Sequence, residues 1–396
     1  MWPGIGDATF ALPVTRPTGL SPVFLAAADT TGDGLADLQV ADSESGEVCL
    51  FLGQTTTDGN VVAGPAGIYS AVRNEFFAVG DLDGDGRADI VAADDTGDTV
   101  RVLRNDGSLR FTPMATLHVP ADNTNEPVLI DLDNDGDLDI IQLHTSGYSI
   151  FRNGGNFTFD LITSQNVNGG LLMGLALDLF KNGLPDLLAS SYGAGTLSCY
   201  QNKQGALSLV MSLKSGAGTA GMAVGDYDLD GDLDLASVNF NESTLTITGR
   251  VGQHFAQEYK VFATEDQPTY VRAADVNRDG RPDLIVSHLT GPDILTYIAA
   301  HGPLDFEAPT STITNGRPVA MVTPDVDLNG VPDVVYCQFE TGRTSIRLIQ
   351  EDAAYGPVVS TFPSQYAITS ILYVTWTATV WRMSSRSPSH GASSNT

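Results

Sequence analysis

An aspartate-rich loop recurs seven times along this chain on the pattern D-x-[DNT]-x-[DN]-G-x-x-D, and one copy is degraded. The intact copies carry Asp29, Thr31, Asp33 and Asp37; Asp81, Asp83, Asp85 and Asp89; Asp131, Asp133, Asp135 and Asp139; Asp226, Asp228, Asp230 and Asp234; Asp275, Asn277, Asp279 and Asp283; and Asp325, Asp327, Asn329 and Asp333. The fourth copy keeps Asp178, Asn182 and Asp186 but has Phe180 at the third position. Successive first aspartates are 52, 50, 47, 48, 49 and 50 residues apart. Such an even period marks a repeat architecture, in which each unit buries its apolar face only against its neighbours.

Every unit reads the same way. In the second, Phe76 to Gly80 enters the loop and Asp89 to Ala93 leaves it. Thr99 to Leu103 alternates and ends at the turn Asn105-Asp106-Gly107, and Phe111 to Val119 is a fourth extended stretch. Short β-branched runs bounded by Gly, Asn and Asp are strands, and four strands per unit make one propeller blade. The expected fold is all-β, a seven-bladed β-propeller of four-stranded antiparallel blades, with a truncated eight-bladed ring as the alternative. The propeller spans residues 22–365. Residues 1–21 supply an N-terminal strand, Thr9 to Thr15, that can close the ring, and 366–396 form an irregular or disordered tail.

The loop chemistry points to calcium. Ca²⁺ takes six to eight oxygens at about 2.3–2.6 Å. Positions 1, 3, 5 and 9 offer side-chain oxygens. Position 7 (Leu35, Arg87, Asp137, Asp232, Arg281 or Val331) offers a backbone carbonyl, and glycine at position 6 permits the sharp turn. Zinc or iron sites would draw on His or Cys, and the loops contain neither. An EF-hand needs Glu at position 12 and a following helix. Here that position holds Val40, Ala92, Gln142, Ser237, Val286 and Tyr336, and strands follow. The fourth loop is expected to be empty or weak.

Composition agrees with this. Lys plus Arg number 20 against 48 Asp plus Glu, a formal net charge of −28. That excludes nucleic acid as a partner, since phosphate binding needs clustered basic residues. The acids recur in short clusters rather than long runs, as bound cations require. Three cysteines, Cys49, Cys199 and Cys337, lie in strand-like runs and read as buried thiols rather than a disulfide framework. Met1 to Leu20 has neither the basic start nor the apolar core of a signal peptide. Ala367 to Trp381 is 15 residues long, short of the roughly 20 that span a bilayer. Membrane association would therefore come only through that segment or one missing from this sequence.

The run VGDLDGDGRADIVAA (Val79 to Ala93) and its kin starting at 129, 224 and 273 resemble FG-GAP or VCBS repeats, which form the propeller of integrin α-chains and occur in secreted bacterial proteins. The resemblance covers roughly residues 9 to 365. It implies calcium in hairpin loops on one face, ligands often on the other, and an extracellular or cell-surface location. Such propellers serve as adhesins and lectins and as non-catalytic parts of lyases and lipases. The expected function is a monomeric adhesion or ligand-binding module for protein or glycan. A carbohydrate-active enzyme, or its carbohydrate-binding propeller, is the alternative.

The turns after the second strands carry Tyr148, Tyr192, Phe240 and Phe339. These are expected to pack between blades, with stacking on sugars or peptides as the competing reading. The six histidines are scattered, and no Ser–His–Asp set stands out. Asn156-Phe157-Thr158 and Asn241-Glu242-Ser243 are sequons for glycosylation in a secreted eukaryotic protein.

Overall fold

The computed structural model describes residues 76–313, apart from 95–96, 108–110, 122, 253, 291–292 and 298–302. Outside that block it describes Thr30, residues 318–323 and 330–338, and strands at 22–28, 37–42, 47–55, 61–70, 343–349, 355–363 and 372–373. Thr9 to Thr15 and nearly all of the tail lie outside the described residues.

Among the described residues the chain forms seven sheets, each built from four strands consecutive in sequence and paired antiparallel in chain order. The fold is a β-propeller. In the third sheet the strands are Thr124–Ile130, Asp139–His144, Gly147–Asn153 and Phe159–Asn166. The metal-type loop joins the first strand to the second, as the sequence predicts. The register places Asp139, the last aspartate of that loop, opposite Ile130, so the second strand begins on the final loop residue.

Burial follows strand position. All six residues of Asp139–His144, Asp186–Ser191, Asp234–Asn239 and Asp283–His288 are buried, because second strands are covered on both faces by neighbouring sheets. Such strands lose the polar–apolar alternation of a half-exposed sheet. The outer strand Phe159–Asn166 is mostly exposed and alternates weakly.

The core is a series of seams between sheets. Val128, Ile141, Ile150 and Leu187 join the third sheet to the fourth. Leu188, Leu197, Met222 and Leu235 join the fourth to the fifth. Val238, Ile247, Val271 and Leu284 join the fifth to the sixth. Each such side chain contributes about 1.5–3 kcal/mol when removed from water.

The first sheet has a fifth strand. Leu372 and Tyr373 pair in parallel with Ala26 and Ala27 on the free edge of the innermost strand. The same two residues approach the inner strand of the seventh sheet, Pro318–Val322, and so tie the end of the ring to its beginning. Cys199 is a buried free thiol, and burial pushes it up to about 12.

Candidate metal centres

Loop shape comes first. The first aspartate of each described loop folds back to accept from the amides ahead of it. Asp81 Oδ1 accepts from Gly84 and Asp85, at 2.8 and 3.1 Å, and its Oδ2 accepts from Gly86 at 2.8 Å. Asp131, Asp226 and Asp275 accept in the same way from Gly136, Gly231 and Gly280. The turn requires two left-handed residues. Position 6 is glycine throughout, with φ of 86° at Gly86 and 99° at Gly136. Position 4 is also left-handed in the described loops, and among them glycine occupies it only at Gly84; Asn134, Lys181, Leu229 and Arg278 adopt φ of 51–61° there. A left-handed leucine or arginine costs roughly 1–2 kcal/mol, so the loop imposes this geometry against local preference.

The result is convergence of carboxylates. Asp81, Asp83 and Asp85 each bring an oxygen within 4.8 Å of the other two. Asp131, Asp133 and Asp135 do the same, as do Asp226, Asp228 and Asp230. Asp133 Oδ1 and Asp226 Oδ1 are buried and accept no hydrogen bond from the protein. Burial, and after it the adjoining carboxylates, raises the pKa of Asp83 and of Asp228. Crowded, partly desolvated oxygens with unused lone pairs and no nitrogen or sulfur donor fit a hard divalent cation. In the sixth loop Asn277 replaces one acid, and the fold is retained: Asp279 N–H donates to Asp275 Oδ1 at 3.1 Å.

The last aspartate has a separate setting. Asp89, Asp139, Asp186, Asp234, Asp283 and Asp333 are all fully buried. Asp89 Oδ2 accepts from Leu82 N–H at 2.9 Å, and its Oδ1 accepts from Asn105 N–H at 2.8 Å. Asp139 repeats this with Leu132 and Asn153, and Asp234 with Tyr227 and Arg250. Asp333 Oδ1 accepts from Ile349. Burial pushes Asp89 up to about 7 and Asp139 and Asp234 up to about 6, against the pull of those amides. The structure thus gathers positions 1, 3 and 5 into one cluster and sets position 9 behind it, holding the third strand to the loop. Asp29, Thr31, Asp33, Leu35, Asp325, Asp327 and Asn329 lie outside the described residues. Asp37 opens a described strand, and Val331 is buried.

The fourth loop keeps its shape without the cluster. Asp178 still accepts from Asn182 and Gly183. Phe180 is buried, with the Arg250 guanidinium 5.8 Å above its ring. Beside it, Lys181 Nζ donates to Gly231 O at 2.8 Å and to Asp232 Oδ1 at 2.6 Å in the next loop.

The residues that sequence reasoning missed are Asn105, Asn153 and Asn202, at the ends of third strands. Their side-chain amides donate to the carbonyls of Thr30, Leu82 and Leu132 in the preceding repeat. In the fifth sheet Arg250 makes the matching bond to Leu179 O. The signal was a polar residue 22 or 24 positions after Asp81, Asp131, Asp178 and Asp226.

Of the aromatics on the opposite face, Tyr148 is buried edge-on against Tyr200, as packing between sheets predicts. Tyr192 is 40% exposed. Phe339 lies outside the described residues. Among the described residues, concavities between sheets include a groove of about 640 Å³ lined by Tyr148, Ile150 and Tyr200, and a pocket of about 280 Å³ beside Phe240. Glu126 and Arg272, on inner strands of the third and sixth sheets, line neither. Burial pushes Glu126 up to about 7, opposed by the Gly174 amide and the Arg272 charge.

The sequence matches the family model described as an FG-GAP-like repeat at residues 29–92, 81–142, 178–237 and 226–286, together more than half of the chain. No curated protein matches. Among solved structures, a Lactobacillus plantarum protein is similar at a TM-score of 0.60 and 11% identity, over 88% of this chain and 96% of that one. BBS1N, solved in complex with ARL6DN, gives 0.59 and 12%, over 86% and 96%. An Agrocybe aegerita lectin recognising non-reducing terminal N-acetylglucosamine gives 0.54 and 16%, over 87% and 94%. These likenesses are of fold. The recurring aspartate loops, the four-stranded sheets they open and the matched repeats place this chain in the FG-GAP-like repeat family.

Proposed function

We propose that this chain is a calcium-binding propeller that acts as an extracellular ligand-binding module, for glycan or protein. The carrying observation is the convergence of three aspartates in each of three loops, with buried oxygens on Asp133 and Asp226 that no protein group satisfies. Calcium supplies the positive charge these oxygens share and so ties the first two strands of a sheet together. Asp81, Asp83, Asp85 and their counterparts bind it, and the first aspartate of each loop also holds the turn. The six intact loops are the calcium sites, and the degraded fourth takes none.

An extracellular location is part of this reading. Exposed loops with few buried ligands suit the weak sites of extracellular modules, which fill at about 10⁻⁴–10⁻³ M calcium. Ligand binding is supported by the Agrocybe aegerita lectin and by BBS1N, whose likeness to this chain is one of fold. Neither of these two concavities is lined by a pair of carboxylic acids.

The test is capture on printed glycans and extracellular proteins at about 1 mM calcium, repeated after chelation. Retention that needs calcium supports the proposal. Equal retention after complete chelation, with the fold unchanged, contradicts it.

A further inference from the structure

We infer that Lys181, in the degraded fourth loop, lowers the calcium affinity of the fifth loop and so sets the concentration at which that site fills. This rests on reading the aspartate loops as calcium sites, and it names a residue outside the ligand set that regulates one of them.

The contact is the first observation. Lys181 Nζ leaves its own loop and donates to Gly231 O at 2.8 Å and to Asp232 Oδ1 at 2.6 Å. Gly231 and Asp232 are positions 6 and 7 of the fifth loop. The carboxylates that converge in that loop are those of Asp226, Asp228 and Asp230. Lys181 pairs instead with the Asp232 side chain, which Gly252 N–H also holds, at 3.1 Å. The ammonium therefore stands beside the cluster without occupying it, and an ion can enter while Lys181 stays in place. Other cations near the loops behave differently. Arg87 pairs with Asp85, and Arg152 Nε lies 3.0 Å from Asp133 Oδ2. Both meet converging carboxylates, so calcium competes with them directly.

Recurrence of the geometry is the second. Lys181 holds position 4 of its loop, and Arg278 holds position 4 of the sixth, with similar backbones at φ of 51° and 58°. Arg278 also reaches the following loop. Its Nη2 lies 3.3 Å from the point where a side chain on Gly330, position 6 of the seventh loop, would begin. Position 4 is otherwise Gly32, Gly84, Asn134, Leu229 or Leu328, none of them charged. Thus both cations found at this position lie against the position-6 glycine of the next loop.

Electrostatics gives the direction. The fifth loop carries five acids: Asp226, Asp228, Asp230, Asp232 and Asp234. Without metal, the Lys181 charge offsets part of their mutual repulsion. With metal, the same charge repels a divalent ion a short way off. Stabilising the metal-free loop and opposing the loaded one both weaken binding. The side chain is half exposed, so water and salt screen the effect. The third loop has the same five acids, but the position before it that could supply this charge is Gly84. The neighbouring loop, not the ligand set, makes the difference. A repeat that has lost its own acid at position 3 thereby acts on the site beside it.

The experiment uses terbium, a trivalent ion that takes calcium's oxygen ligands, bound to the full chain and excited through tyrosine. Tyr227 occupies position 2 of the fifth loop, where the other loops carry Thr, Leu or Val. The luminescence that disappears in Asp228→Ala marks the fifth site. Terbium titration, followed by displacement with calcium, gives the calcium affinity of that site in wild type, Lys181→Met and Lys181→Arg, at low and high salt. Total calcium uptake is measured by calorimetry on the same samples. The expected result is calcium binding on the order of three- to tenfold tighter in Lys181→Met at low salt. Lys181→Arg should stay near wild type, the gap should narrow at high salt, and the number of ions should not change. Wild-type protein that takes up calcium overturns the inference alone if Lys181→Met leaves the fifth site unchanged or weaker, or if the gap ignores salt. Calcium uptake with no luminescence that depends on Asp228 also overturns it, since the fifth loop would then hold no ion. A wild-type chain that takes up no calcium overturns the underlying reading as well.

Discussion

The side-chain amide of Asn153 crosses from the third sheet to the second and donates to the Leu82 carbonyl at 2.8 Å, 71 residues away in sequence. It belongs to a run of bonds. Asn202 reaches Leu132 O, the Leu132 amide donates to Asp139, and Asp139 accepts from Asn153 N–H. Beyond Leu82 the run continues through Asp89 and Asn105 to Thr30 O. The aspartate that closes each loop is thereby linked to the loop of the preceding sheet.

Replacing Asn153 by alanine leaves the buried Leu82 carbonyl without this donor. A loss of about 1–3 kcal/mol is expected, read by urea denaturation. Asn202→Ala should behave alike, and the double variant should depart from the sum, because Asp139 accepts from the backbone amides of both Asn153 and Leu132 and so couples the two positions.

Leu229 pays a backbone cost without a packing return. It is left-handed at φ 61° and 49% exposed. Leu229→Gly should raise stability by about 1 kcal/mol without changing calcium stoichiometry. A lower melting temperature in the metal-free protein would show that the side chain has a role the geometry does not reveal.

The fourth loop should resist repair by one substitution. Phe180→Asp restores an acid at position 3 but removes a buried ring from beneath Arg250 and places a carboxylate there. The variant should be less stable than wild type in chelator by about 2–4 kcal/mol. Calcium should recover part of the loss.

Glu126 gives a pH signature that involves no metal loop. Burial raises its carboxyl to about 7, while the Gly174 amide, at 3.0 Å, and the Arg272 charge pull it down. A carboxyl raised in the folded state favours folding fully below its unfolded pKa, near 4.5, and that contribution is lost as pH rises through 7. The loss at pH 8 is about 3 kcal/mol. Glu126→Gln should make the fall in stability between pH 5 and 8 shallower by about this amount, measured by denaturant titration in calcium.

The period and the alternation of strands were legible in the sequence because the loop motif fixes where each second strand begins. Asp89–Ala93 stands where the reading set it, and the strand that opens at Thr99 runs past Leu103 to Asn105, which the reading gave to the turn. The aspartates at positions 1, 3 and 5 were legible for the same reason: their spacing alone puts them on one turn. The dual bonding of Asp139 was not, because its partner Asn153 lies 14 residues on, at the far end of the next strand. The inter-sheet amides were hidden because asparagine at a strand end also reads as turn chemistry. Tyr148 and Tyr192 both follow second strands, but Tyr148 stands within the third strand Gly147–Asn153 and is buried against Tyr200, whereas Tyr192 stands in a turn beside Phe240 and stays exposed; sequence alone does not separate them.

Calorimetric titration of the metal-free chain with Ca²⁺, paired with melting curves before and after, tests the central claim most directly. The expected result is uptake of several ions, up to the six intact loops, a marked rise in melting temperature, and one fewer ion in Asp133→Ala. Neither uptake nor a shift in melting would contradict it.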